Sequence, residues 1–291
     1  MARNLLKAGF ALRAFDTNPD ALSKIAECGA KVCTDVREAV ADAATIVSML
    51  PNDRAVESVY HDAGGVISSA APGALIIDCS TISVAASRRL ASTAIAAGID
   101  AIDAPVSGGP HGAADATLSF MVGGEAPALE RARPFLGAMG DRIVHVGGHG
   151  AGQTAKICNN MLAAVIMAGA AEALALGARN GIDPARLTDV IQASSGANSL
   201  MNRWHPWPGV RAEAPSTLGY DGGFQLELML KDLSLAIANA DSMQAAIPLG
   251  ALARNLYALR ATQSADYLRQ DFSCVQQLYV DTGAYPTATM A

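Results

Sequence analysis

The spacing of apolar and polar positions changes character about halfway along the chain. Up to about residue 152, short apolar runs alternate with helical stretches. Residues 10–16 read as a strand that ends in Asp16 and enters the Asn18-Pro19 turn, and residues 20–28 read as a helix closed by Gly29. Residues 44–50 form a strand stopped by Pro51, and residues 74–78 another after Pro72-Gly73. Residues 99–103, 118–122 and 142–146 are further strand candidates. Strands separated by helical segments predict βαβ units and a mostly parallel sheet. From residue 154 onward the period is helical, with few β-branched runs. Breaks fall near residues 181–184, 194–198, 206–208 and 222–223. The pattern predicts an α/β domain over residues 1–152 and an all-helical domain over residues 153–291.

Composition narrows the class. The chain has 291 residues, 51% of them hydrophobic, enough for a large core in one or two domains. Net charge is −6 and the lysines and arginines are scattered. A nucleic-acid or anionic-membrane surface is therefore not expected. The five cysteines are odd in number and form no C-x-x-C pair, which argues against a disulfide framework or a zinc site and fits a cytoplasmic setting. His145 and His149 are four apart, but Gly147, Gly148 and Gly150 disfavour a helix there, so no metal site is expected. Residues 161–178 approach membrane-spanning length, with Glu172 as their one charge. Their small residues, and the lack of flanking aromatic or basic anchors, predict instead a helix buried between domains. The first residues lack the apolar core of a secretory signal.

Candidate chemistry centres on Lys156, in a Gly150-Ala151-Gly152-Gln153-Thr154-Ala155-Lys156 run that opens a long apolar helix. A helix N-terminus carries partial positive charge, so a lysine in its first turn is misplaced as a stabiliser. Asn160 follows on the same face. Together the two suit a small oxygen-rich anion and a proton transfer; the plain alternative is a solvated lysine. Asp16 ends a strand where an acid accepts adenosine ribose hydroxyls and repels a 2′-phosphate, favouring NAD, although a turn acid is the plainer use. Leu50-Pro51 and Thr81 end strands at the edge where open α/β sheets bind ligands. Pro51 equally suits a strand terminator, and Thr81 a helix N-cap. Ser107-Gly108-Gly109 offers backbone N–H groups that converge on a carboxylate, or simply a turn. Lys231-Asp232 reads as surface decoration. Trp204, Trp207 and Phe224 serve a pocket wall or core packing.

Taken together these segments resemble the β-hydroxyacid dehydrogenase family, and its 3-hydroxyisobutyrate branch in particular. The resemblance rests on residues 1–9 as a first helix, Leu50-Pro51, and residues 78–81, 103–109 and 150–160, with Lys231-Asp232-Leu233. Residues 194–196, 206–210 and 220–224 point to the branch. It implies a Rossmann-type dinucleotide-binding domain followed by an all-α domain. The family's first strand and G-x-G-x-x-G loop, which precede that first helix, are missing from this sequence. Such a strand lies in mid-sheet, so its two neighbours are expected to be unpaired. The resemblance further implies Lys156 as the catalytic lysine. It implies Ser107, Gly108, Gly109 and Asn160 around the substrate carboxylate, supported by Asn159. Leu50, Pro51, Ala55 and Thr81 would line the nicotinamide and its ribose, Lys231 would close over the cofactor, and Asp16 would bind the adenosine ribose. At Ala55 a backbone or apolar contact is all that the residue allows.

The implied reaction is NAD-dependent oxidation of 3-hydroxyisobutyrate to methylmalonate semialdehyde. The alternatives are another β-hydroxyacid dehydrogenase, such as a tartronate semialdehyde reductase, or a non-catalytic binding or oligomerisation module. The expected partners are a small hydroxy-acid substrate and further copies of the chain in a homodimer or homotetramer, with no nucleic acid and no membrane.

Overall fold

A computed structural model describes residues 1–280; residues 281–291, the end of the expected helical domain, lie outside the described residues. The chain divides into two compact units, Met1–Lys156 and Ile157–Ala291. The division between the units falls inside a helix, which starts at Ala151 and continues past Lys156.

The first unit runs α1 (Ala2–Lys7), β1 (Arg13–Ala14), α2 (Pro19–Ala26), β2 (Lys31–Val32), α3 (Val36–Val40), β3 (Thr45–Ser48) and α4 (Asp53–His61). It continues through α5 (Val66–Ser69), β4 (Leu75–Asp78), α6 (Val84–Ala96), β5 (Asp100–Asp103), β6 (Val106–Ser107) and α7 (Gly109–Asp115). Then come β7 (Leu118–Gly123), α8 (Ala126–Met139), β8 (Gly140–Gly147) and the start of α9 (Ala151–Arg179).

β4 shows why these residues form a covered sheet. All four of its side chains are buried, as a strand with helices on both faces requires. Successive side chains point to opposite faces. Leu75 and Ile77 join one apolar cluster with Leu5, Leu129 and Leu136, from α1 and α8. Ile76 joins another with Tyr60 and Leu90, from α4 and α6. α6 supplies the matching stripe, burying Val84, Ser87, Leu90, Ala91 and Ala94 at helical spacing.

Six strands form the larger sheet in the order β3-β4-β5-β7-β6, with β8 also on β7. β3, β4 and β5 are parallel, as are β7 and β8, whereas β7 is antiparallel to β5 and β6. β1 and β2 form a separate two-stranded parallel sheet. β1 and β3 thus lie in different sheets. The strand expected over residues 10–16 shortens to Arg13–Ala14, because its two-residue partner β2 offers no longer ladder. Phe10 and Leu12 pack on the core instead.

Among its described residues the second unit continues α9 and adds α10 (Pro184–Gln192), α11 (Leu200–Arg203), α12 (Leu226–Met243) and α13 (Pro248–Thr262), with three short 3-10 helices. Its main core joins Met167, Tyr220, Leu226, Leu233, Tyr257 and Phe272. By length and composition α9 could cross a membrane, yet 39% of its most apolar window is buried, while Leu162 and Leu176 are largely exposed. The expectation of a buried helix is met along only part of its length.

Candidate active site

The carboxyl ends of β3, β4 and β5 carry three polar residues in one row. Ser48 is registered with Asp78, and Asp78 with Asp103. Asp78 Oδ1 accepts from Ser48 Oγ at 2.7 Å and from Ser80 Oγ at 2.5 Å, and from Ser80 N–H at 3.2 Å. Because Ser48 donates to Asp78, the Tyr60 hydroxyl, 2.5 Å away, donates to Ser48. Burial pushes the Asp78 carboxyl up, and it pushes the Tyr60 phenol well up.

Four of the predicted cofactor residues follow β3 and β4. Leu50 N–H donates to Ser80 Oγ at 2.8 Å, so the turn carrying Leu50 and Pro51 is held to the segment carrying Thr81. Asn52 caps α4 and takes Ala55 N–H at 2.9 Å. Ala55 therefore has its methyl to offer, not its N–H. The cap of α6 is Ser83, which excludes the N-cap use of Thr81. Asp53 takes Ser83 N–H at 2.9 Å and its hydroxyl at 2.5 Å, joining the starts of α4 and α6.

Ser107 ends β6, opposite Ser119 of β7, and Gly108 and Gly109 lead into α7. Both glycines have positive φ, +132° and +64°, which L side chains rarely adopt. These angles turn the backbone sharply at the mouth of a short helix, the kind of concavity where N–H groups gather on an anion.

Lys156 is buried, with 6% of its surface exposed. It lies in the second turn of α9, since helical geometry starts at Ala151; the first-turn placement expected from sequence is corrected. The helix starts early because Asp103 anchors it. Asp103 Oδ1 accepts Gly150 N–H at 2.7 Å, and Oδ2 accepts Gln153 N–H at 3.0 Å. A carboxylate at this position offsets the partial positive charge of the N-terminus. Burial nevertheless pushes the Asp103 carboxyl up. Asp16 accepts Asn18 N–H at 2.8 Å, an ordinary turn bond, and lines a cavity of about 580 Å³ together with Arg3, Lys7 and Lys24.

In the second unit α9 and α12 bring together three of the predicted residues. Asn159 Nδ2 donates to Asn160 Oδ1 at 3.0 Å, and Asn160 Nδ2 donates to Asp232 Oδ2 at 2.6 Å. Lys231 Nζ lies 3.4 Å from Asp232 Oδ1. Asp232 thus fixes the Asn160 amide, a contact that sequence reading missed by treating Lys231-Asp232 as a surface pair. Asp103, Ser80 and Gln153 were passed over in the same way. Their one signal is polarity at the end of an apolar strand or inside an apolar helix. Trp207 packs with Leu174 and Met201, and Trp204 and Phe224 border the main core. Among the described residues no cluster of His, Cys, Asp or Glu could hold a metal ion.

An open, mostly parallel sheet with both faces covered and short polar loops at its carboxyl edge is an architecture that binds dinucleotides at that edge. The donor set fits a nicotinamide dinucleotide: apolar Leu50 and Pro51 beside Thr81 at the strand ends, and an acid in the cavity by β1. The family model for the NAD-binding domain of 6-phosphogluconate dehydrogenase matches residues 1–147. The model for the NAD-binding domain of NADP-dependent 3-hydroxyisobutyrate dehydrogenase matches residues 150–279. A 3-hydroxyisobutyrate dehydrogenase of Pseudomonas aeruginosa is 51% identical, over 96% of this chain and 94% of the relative. An NAD-dependent L-serine dehydrogenase of the same organism is 46% identical, over 97% and 94%. The solved structure of Mycobacterium tuberculosis 3-hydroxyisobutyrate dehydrogenase with L-serine superposes with a TM-score of 0.90 at 42% identity, covering 95% of this chain and 93% of that one. The chain belongs to the β-hydroxyacid dehydrogenase family and is an NAD-dependent oxidoreductase of the 3-hydroxyisobutyrate dehydrogenase type.

Proposed function

We propose that this enzyme oxidises 3-hydroxyisobutyrate to methylmalonate semialdehyde, with Lys156 Nζ exchanging the proton of the substrate hydroxyl. The burial of Lys156 close to the Asp103-held start of α9 carries this reading, because few lysines are buried at all. Bound NAD supplies the hydride acceptor. Lys156 takes the hydroxyl proton in oxidation and returns it in reduction. Ser107, Gly108, Gly109 and Asn160 hold the substrate carboxylate, with Asn159 and Asp232 fixing the Asn160 amide. Leu50, Pro51, Ala55 and Thr81 hold the nicotinamide half, Asp16 the adenosine ribose, and Lys231 closes over the cofactor. The domains act as a cofactor-binding part and a helical part that also assembles the chain into a homodimer or homotetramer in the cytoplasm.

L-Serine is a second candidate, because two of the similar proteins carry it in their names. It shares the primary alcohol and carboxylate and replaces the methyl group with an ammonium. Initial rates with both substrates, for the parent and for Lys156→Ala, test the proposal. The substitution should lower kcat by about 10³-fold. Near-parental turnover by the variant sinks the role of Lys156. A kcat/KM for L-serine above that for 3-hydroxyisobutyrate moves the substrate assignment.

A further inference from the structure

The polar side chains at the sheet edge converge on Gln153. This residue is fully buried, about one helical turn before Lys156. Its Oε1 accepts from Ile82 N–H at 3.1 Å, and its Nε2 donates to the Ser80 carbonyl at 2.8 Å. Those two peptide groups flank Thr81. The side-chain amide therefore pairs with the Thr81 segment as a neighbouring strand does, donating and accepting at once.

Both ends of this clamp are anchored. Gln153 N–H is held by Asp103 at the end of β5. A Cβ on Gly152 would lie 2.3 Å from the Met121 carbonyl oxygen, so the first turn of α9 packs backbone to backbone and has no room to slide. On the other side, the Ser80 hydroxyl takes Leu50 N–H and donates to Asp78. Leu50, Thr81 and Lys156 come from three segments, and two buried side chains, Ser80 and Gln153, join all three.

We propose that Gln153 is a positioning residue: its amide sets the Thr81 segment against the helix that carries Lys156, so that proton exchange and hydride transfer share one geometry. The inference rests on the dehydrogenase reading above. A misplacement of about 1 Å away from the reacting atoms can cost on the order of 10²-fold in rate. An amide that merely filled space would alter stability and leave the rate of the folded enzyme alone.

The test uses the full chain with Gln153→Leu and Gln153→Glu. Steady-state kinetics across pH are combined with amide hydrogen exchange at residues 80–83. The Leu variant should lose about 30- to 100-fold in kcat with KM near parental, and exchange at Ile82 should accelerate. An ionised glutamate cannot donate to the Ser80 carbonyl, whereas a protonated one both donates and accepts. The kcat of the Glu variant relative to the parent should therefore climb as pH falls, a rescue that a structural role does not produce. A Leu variant with parental kcat, or a Glu-to-parent ratio that is flat with pH, overturns the proposal. Should the Leu variant not fold, the isosteric Glu variant carries the test. If the parent turns over no hydroxy acid, the dehydrogenase reading fails instead. Exchange at Ile82 then decides the clamp, and unchanged exchange in the variants overturns it.

Discussion

Asp103 in the first unit and Asp271 in the second use the same local chemistry. Each buried carboxyl takes one backbone N–H on each oxygen: Gly150 and Gln153 at 2.7 and 3.0 Å for Asp103, Phe224 and Ser273 at 2.7 and 3.0 Å for Asp271. Burial raises both carboxyls, Asp271 to about 6. Their neighbours differ. Asp103 ends a strand beside Asp78 and holds the helix that carries Lys156. Asp271 closes an irregular stretch of 3-10 turns, where buried His205 bonds Thr188 and Trp207 and the Ser216 hydroxyl bonds the His205 carbonyl. Buried polarity therefore does not mark an active site by itself. It marks a candidate site where the groups it fixes include an ionisable side chain such as Lys156.

The comparison breaks most sharply at Gly152. Gly152→Ala places a methyl group against backbone oxygen in the first unit and should cost about 3–4 kcal/mol, read as a lower denaturation midpoint. Activity should fall with it, because the same turn carries Gln153 and the next carries Lys156. A variant of parental stability and kcat would show that α9 is not locked at its start.

In the second unit the expected effects are on stability and pH, with kcat nearly unchanged. The carboxyl of Asp271 is raised from 3.8 to about 6, so its contribution is full below the lower value and is lost as pH rises through the upper one. His205 is lowered by burial from 6.5 to about 4, so its contribution is full above the upper value and is lost as pH falls through the lower one. Each shift corresponds to about 3 kcal/mol, of opposite slope between about pH 4 and pH 6, so the two nearly cancel. Replacing either group should uncover the other. Asp271→Asn should leave a protein that loses stability as pH falls across this window. His205→Gln should leave one that gains it. Urea titrations at several pH values measure both, and parallel pH profiles for the two variants would contradict the assignment.

The smallest effect is expected on the surface of α8. Arg133 and Glu130 pair at 2.8 Å in the open, so Arg133→Ala should change stability by less than about 0.5 kcal/mol by the same titration. A larger loss would mean that the contrast between buried and exposed polar pairs has been drawn too strongly.

Much of the fold was legible. Strands β3, β4, β5 and β7 fall inside or beside the apolar runs that predict them, because a strand covered on both faces is largely apolar along its length. β2 and β6 escaped notice, since two residues carry no period. The helical breaks at residues 181–184 and 222–223 were visible from their glycines and prolines. Lys156 stood out as a cation at a helix start, although its turn was misjudged, because a capping carboxylate distant in sequence leaves no local signature. Gln153 and Asp232 looked like ordinary polar residues beside more conspicuous neighbours.

Periodicity and motif spacing by themselves determined the α/β-then-helical order, the strand ends where ligands meet an open sheet, and the candidate residues Lys156, Thr81 and Ser107. The tertiary structure alone decided which buried polar groups meet. The bonds from Gln153 to Ile82 and Ser80 span 71 and 73 residues, and that from Asn160 to Asp232 spans 72. Apolar burial is nondirectional and repeats with the period of each element, so it is written into the local sequence. A hydrogen bond requires two groups at one distance and angle, and only the folded chain sets that geometry.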